Sequence, residues 1–346
     1  MQALLDPAIL FFILGVAAGL MKSNLEIPPQ ISRFLALYLL MALGLKGGFA
    51  LANSGLSQEV AVSLLCAVLL AVMIPALGYV VLKKFLQPFD ATAVAATYGS
   101  VSAVTFITAV QYMETHGHAF GAHMTAAMAL MEAPAIILAM MMAARLRKKA
   151  TDSAMVVQGN AALAMNVGGT AATGSSTGDA PGHSMRKVLH ESFTDGAQLL
   201  LLGAMLVGLL SGAAGQAAMN PFSGELFKGM LAFFLLDMGL MAARNLPQLK
   251  GQSPWIFVYA IVAPVVHAAL ALGLASLVGL TAGNTALLMV LAASASYIAV
   301  PAVLRLSMPE AEPSLYFGMS LGITLPINIL IGIPAYVWLA QKVVGS

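Results

Sequence analysis

Charged residues are scarce in this sequence. Asp, Glu, Lys and Arg make up only 9% of its 346 residues, whereas hydrophobic residues make up 60%. Soluble domains carry about 25% charged residues, and a soluble chain of this length cannot cover so much apolar surface. The composition therefore excludes a soluble protein and predicts an all-α polytopic membrane protein, in which helices satisfy their own backbone polar groups.

Cysteine and the common enzyme motifs are also missing. The single cysteine, Cys66, excludes a disulfide within the chain. No P-loop is present, so the chain has no ATPase of its own, and residues 190–194 lack the second histidine of a zinc-protease helix. We expect no enzyme, no cofactor, no bound metal beyond a coupling ion and no nucleic-acid partner.

Apolar runs predict ten membrane spans, each near or above the ~20 residues that cross the hydrocarbon. The first run lacks a preceding basic region, which favours a span over a cleaved signal peptide. The predicted spans are 8–22, 31–52, 57–82, 91–112, 120–145, 190–213, 225–244, 252–279, 284–305 and 315–340.

The distribution of lysine and arginine predicts the orientation. If the first span begins outside, all but three of the 16 basic residues fall at cytoplasmic ends or loops, the exceptions being Lys46, Lys228 and Lys342. We expect both termini outside. The central segment, 146–189, is rich in Gly, Ser, Thr and Ala and is expected to be a flexible cytoplasmic linker.

The two halves, 1–145 and 190–346, resemble each other in sequence. Five spans per half is an odd number, so the second half must be inverted in the membrane. This 5+5 inverted repeat is typical of secondary transporters. Offsets of 195, 194 and 192 residues relate Gly44 to Gly239, Ser100 to Ser294 and Glu132 to Thr324.

Spans 4 and 9 each carry two serines at i and i+2. Successive helical residues turn by about 100°, so both hydroxyls can face one ligand only where the helix is broken. Gly99 and Pro301 are the residues expected to permit these breaks. Broken helices at mid-membrane line cavities or bind solutes, although small residues at a helix–helix contact are the alternative. We expect the two breaks to cross at mid-membrane. The candidate substrate-binding residues are Gly99, Ser100, Val101, Ser102, Ala293, Ser294, Ala295 and Ser296.

Three of the charged residues within predicted spans lie well away from the span ends and are candidates for a role inside the membrane. Glu132 in span 5 is a functional candidate because an intramembrane acid is costly, with a protonated, hydrogen-bonded carboxyl as the alternative. Lys46 and Asp237 lie at nearly equivalent positions of the two repeats, in spans 2 and 7. They form either a structural ion pair or part of a gate.

The chain resembles the sodium-dependent bicarbonate transporter family known from cyanobacteria. The resemblance implies sodium-coupled symport of bicarbonate or a closely similar small anion by an elevator-type mechanism. It also implies a mobile core of spans 3–5 and 8–10 beside a scaffold of spans 1, 2, 6 and 7. The stretches that carry it are 44–48, 99–105, 132–135, 292–296 with Pro301, 304–305, 308–316 and 322–327.

The resemblance further implies a site, partners and a location. Bicarbonate and sodium would bind where spans 4 and 9 cross, in a homotrimer of the bacterial inner membrane with a PII-like cytoplasmic regulator. Alternatives are a small organic anion carrier, an exchanger coupled to protons through Glu132, and a non-transporting membrane sensor. Two candidates depart from the family pattern, which has Asp at the positions of Glu132 and Tyr297. The candidate sodium-binding residues are Ser102, Thr105, Glu132, Ser294, Ser296, Tyr297 and Thr324.

Overall fold

The computed structural model describes residues 6–54, 57–164 and 196–345, and all regular structure in these segments is helical. We number the helices in chain order, treating the last as one rod interrupted by π-helical turns at 318–324 and 328–332. They are α1 (Pro7–Leu20), α2 (Pro29–Ser54), α3 (Gln58–Leu82), α4 (Pro88–Gly99), α5 (Ala103–Thr115), α6 (Met124–Ala164), α7 (Gly196–Asn220), α8 (Leu226–Asn245), α9 (Pro254–Val278), α10 (Ala282–Ala293), α11 (Ala299–Ser307) and α12 (Pro313–Val344).

The helices confirm a multi-pass membrane protein. Within the described residues, seven helical stretches are long and apolar enough to cross a membrane, and α1 and α10 are shorter apolar helices. One of the seven helical stretches extends from Leu199 to Asn245 and includes most of α7, a π-helical segment and α8. Helix α6 continues to Ala164 and so enters the segment predicted as a linker. The Gly/Ser-rich remainder of that segment lies outside the described residues.

Two interrupted helices lie at the centre of the bundle. Every residue from Ala91 to Gly99 in α4 and from Gly283 to Ala293 in α10 is buried. Both helices end in mid-protein, and the chain resumes as α5 and α11 after non-helical stretches. The breaks therefore occur at the two serine pairs.

Gly99 and Pro301, the two residues expected to permit these breaks, have other roles in the structure. Gly99 has no positive φ angle. Its hydrogen side chain instead makes room for the ring of Pro75 in α3, whose Cδ lies 2.6 Å from where a Cβ would stand. Pro301 lies in the first turn of α11, where a proline fits a new helix because that turn has no donor to lose.

Glycines hold two helix pairs in backbone contact outside this centre. Gly15 of α1 meets Gly239 of α8, and Gly48 of α2 meets Gly208 of α7. A Cβ on Gly208 would stand 2.6 Å from the Leu45 carbonyl oxygen. Small residues of this kind let membrane helices approach closely enough for van der Waals packing. The helices α1 and α8, and α2 and α7, thus form two tight pairs.

We predict that Gly239→Ala destabilises the protein, because the added methyl group would overlap the Phe12 carbonyl oxygen of α1. Overpacking typically costs ~1–3 kcal/mol. The matched control is Gly229→Ala in the same helix, where nothing lies within 4 Å and alanine is favoured by about 0.5–1 kcal/mol. Thermal unfolding in detergent should show a lower midpoint for the first variant only. Equal midpoints would show that the α1–α8 contact is not tight.

Candidate functional site

The two helix breaks are hydrogen-bonded to each other. The Ser102 N–H donates to the Ser294 hydroxyl at 2.9 Å, and the Ser296 N–H donates to the Thr97 carbonyl at 2.8 Å. The eight candidate substrate-binding residues are all buried. The structure therefore brings both serine pairs into one site in the interior of the bundle.

Two helices begin at this site. Ser102 caps α5, since its hydroxyl accepts from the Thr105 N–H at 3.2 Å and from the Thr105 hydroxyl at 3.0 Å. The Ser296 hydroxyl accepts from the Val300 N–H at 3.3 Å, in the first turn of α11. Helix N-termini carry partial positive charge and unsatisfied N–H groups. Two such N-termini suit a small anion.

Two buried hydroxyls at the site have no hydrogen-bond partner among the described residues. They are those of Ser100 and Thr97. Buried polar groups are nearly always satisfied, so an unpartnered hydroxyl in an interior site is available to a ligand or a water molecule. Thr97 was not predicted from the sequence. Its position one helical turn before Ser100 was the signal that could have found it.

The last helix reaches the site through Asn328 of α12. The Asn328 side-chain amide donates to the Ala293 carbonyl at 2.8 Å, which is the last carbonyl of α10. Thr324, a predicted sodium ligand, instead pairs with the Tyr98 hydroxyl at 2.6 Å and donates to the Ala260 carbonyl at 2.9 Å. Thr324 thus belongs to a cluster between α4, α9 and α12. No direct bond joins it to the serines in the described structure.

Glu132, the candidate acid, lies in α6 with a half-buried side chain. It makes interactions within the bundle and is not an isolated charge. Its role as a sodium ligand remains a prediction.

A large cavity ends at the second break. It has a volume of about 1390 Å³ and runs between α2, α7 and α8 on one side and α12 on the other. Tyr297 and Ile298 line it, whereas none of the four serines does. Tyr297 is only 5% exposed, and its hydroxyl lies 3.6 Å from the Met238 sulfur of α8. The Tyr297 side chain therefore borders both the cavity and the serine site, where its hydroxyl bonds to Ser102.

The charged residues of spans 2 and 7 do not pair with each other, so the proposed Lys46–Asp237 ion pair is wrong. The Lys46 ammonium lies 2.9 Å from the Glu114 carboxylate of α5, and Asp237 accepts a hydrogen bond from Ser32. Ser32 and Lys46 are 14 residues apart on α2, about 21 Å at 1.5 Å per residue. Asp237 therefore lies near the other end of α2 from Lys46.

Comparison with known proteins assigns a family to this arrangement. A family model described as the Na+-dependent bicarbonate transporter superfamily matches residues 7–341. It covers α1–α11 and nearly all of α12, both serine pairs included. No curated protein matches the chain significantly.

We predict that Ser294→Ala destabilises the protein by ~1–3 kcal/mol, because it leaves the buried Ser102 N–H without an acceptor. The matched control is Ser276→Ala in α9, whose exposed hydroxyl donates only to the carbonyl of its own preceding turn. That variant should change stability by less than about 0.5 kcal/mol. Denaturant or thermal unfolding in detergent measures both. Similar losses in the two variants would contradict a crossing held by Ser294.

Proposed function

This chain belongs to the Na+-dependent bicarbonate transporter superfamily and is therefore a membrane transporter, and we propose that it carries bicarbonate or a closely similar small anion by sodium-coupled symport. The observation that carries this proposal is the Ser102–Ser294 hydrogen bond, which joins the start of α5 to the end of α10 and so brings the two helix breaks together. The N-termini of α5 and α11 both lie at these breaks. Their partial positive charges and free N–H groups fit a small anion.

The same crossing offers oxygen ligands for sodium. The hydroxyls of Ser100 and Thr97 lack partners among the described residues, and those of Ser102 and Ser296 cap helices through their acceptor lone pairs. Half-helix ends and unwound backbone coordinate sodium in other secondary transporters. We propose that Ser102, Thr105, Ser294 and Ser296 contribute to this site and that Glu132 balances its charge.

The glycine contacts support the 5+5 inverted repeat. Gly15 and Gly208 differ by 193 positions (208 − 15), and Gly48 and Gly239 by 191 (239 − 48). An inverted repeat that exchanges α1 with α7 and α2 with α8 converts the Gly15–Gly239 contact into the Gly208–Gly48 contact. This register equates Gly239 with Gly48, one helical turn beyond the Gly44 equivalence predicted from sequence.

Charge placement supports an inward-open resting state of an elevator. Arg33, Arg244 and Arg305 line the cavity, and the positive-inside rule favours a cytoplasmic opening for a cavity lined by basic residues. Elsewhere, Lys46 of the scaffold helix α2 binds Glu114 of the core helix α5 at 2.9 Å. We propose that this ion pair closes the outer side while the cavity is open inside.

Three further features follow from the family resemblance and stay proposals. They are a homotrimeric assembly, placement in the bacterial inner membrane with outside termini, and a PII-like partner on the cytoplasmic side. The exposed apolar residues of α7, including Leu206, Val207 and Leu210, provide a surface that either lipid or a neighbouring subunit would cover.

Counterflow of labelled bicarbonate in proteoliposomes tests the function. We expect uptake of labelled bicarbonate to require sodium, and a proton gradient should not substitute for the sodium. Uptake driven only by a proton gradient would favour the exchanger. Transport of small carboxylates without transport of bicarbonate would favour an organic anion carrier. No flux of any of these solutes would favour a sensor. Protein-free liposomes are the control, since they measure passive entry of carbon dioxide.

We predict that Glu132→Gln raises the sodium concentration for half-maximal uptake at least about tenfold, equivalent to ~1.4 kcal/mol of lost binding. Glutamine keeps the shape of the side chain and removes its charge, so expression should stay near normal. The matched control is Glu310→Gln, which removes a half-exposed carboxylate that binds Arg147 at 2.7 Å. Unchanged sodium dependence in Glu132→Gln would assign Glu132 a structural role.

A further inference from the structure

Three oxygen-bearing side chains from three separate elements line the large cavity. They are Ser32 of α2, Asp237 of α8 and Tyr297 of the second helix break. The Ser32 hydroxyl is hydrogen-bonded to the Asp237 carboxylate. The Tyr297 hydroxyl contacts the next residue of α8, Met238, at 3.6 Å and also bonds to Ser102 of the crossing.

Asp237 is a buried acid in a membrane helix. It is only 5% exposed, and within the described segments no basic side chain lies within ion-pair distance of it. The nearest basic influence on it is Arg244, seven positions further along α8, whose guanidinium donates to the Leu25 carbonyl at 2.8 Å. Intramembrane acids of this kind are costly unless they serve a ligand or a partner.

The surroundings of Asp237 suit a small cation. A carboxylate and two hydroxyls supply one formal negative charge and up to four oxygen atoms, and oxygen is the ligand that hard cations prefer. The cavity that these groups line is large enough, at about 1390 Å³, for water molecules to complete the coordination shell. Ser32 and Asp237 lie outside the serine crossing, whereas Tyr297 follows Ser296 in the second break and its hydroxyl also bonds to Ser102.

We propose that Asp237, Ser32 and Tyr297 form a sodium-binding site at the boundary between the scaffold helices and the second helix break. The carboxylate of this site, Asp237, is different from Glu132, which was assigned to the crossing, and Tyr297 borders both sites. The proposal does not depend on bicarbonate transport. Because Ser32 and Asp237 lie on α2 and α8 while Tyr297 lies on the interrupted helix, the full ligand set exists only in the arrangement seen here. The site would therefore hold sodium on the cavity side of Tyr297.

Equilibrium binding of radioactive sodium to the purified full-length protein in detergent tests the site. We expect Asp237→Asn to bind one sodium ion fewer per chain, or to bind that ion at least tenfold more weakly. The matched control is Glu26→Gln, because Glu26 is an acid of the same cavity that is exposed to solvent. It should keep wild-type stoichiometry and affinity. Wild-type binding by Asp237→Asn would overturn the proposal.

Two variants that keep the carboxylate guard against misfolding of Asp237→Asn. Ser32→Ala and Tyr297→Phe each remove one oxygen, and each should weaken the same class of sodium binding several-fold. If both variants keep full affinity for sodium, the Asp237–Ser32 contact is only a structural hydrogen bond and the proposed sodium site is wrong.

The crossing is tested separately. Glu132→Gln should remove a different ion from the one lost in Asp237→Asn, and loss of the same ion in both would contradict two sites. A protein that binds sodium in an Asp237-dependent way but moves no bicarbonate would retain this inference and refute the proposed function alone.

Discussion

The structure depends on one requirement, that backbone groups exposed by a broken helix inside a membrane must find partners within the protein. The two breaks meet this requirement for each other. The Ser102 N–H binds the Ser294 hydroxyl, and the Ser296 N–H binds the carbonyl of Thr97. A single break would leave these groups unsatisfied in hydrocarbon. The need for reciprocal partners explains why the two interruptions meet and why residues 91–99 of α4 and 283–293 of α10 are buried.

Much of this arrangement could be predicted from the sequence because it depends on local patterns. Serines spaced i and i+2 within apolar runs predicted both breaks, and the scarcity of charge predicted a membrane protein. The family was also identified, and its match over residues 7–341 confirms it. Each of these signals lies within a few neighbouring residues or in the composition of the whole chain.

The failures concern contacts between residues far apart in the chain. Gly99 was expected to relax the backbone, but it makes room for Pro75. Lys46 and Asp237 were considered as partners because they occupy similar repeat positions, yet their partners are Glu114 and Ser32. An equivalence between repeats matches positions along two segments of the chain. It carries no information on which side chains then meet.

The buried side chain of Tyr297 lies at the border between the serine site and the cavity. Collective movements of helices take microseconds to milliseconds, whereas rotation of a single side chain is generally faster. Because this side chain borders both Ser102 and a cavity of about 1390 Å³, its torsion angles affect access to the serines from that side. Rotation of the Tyr297 ring and movement of a whole helix are then two distinct events with two distinct rates.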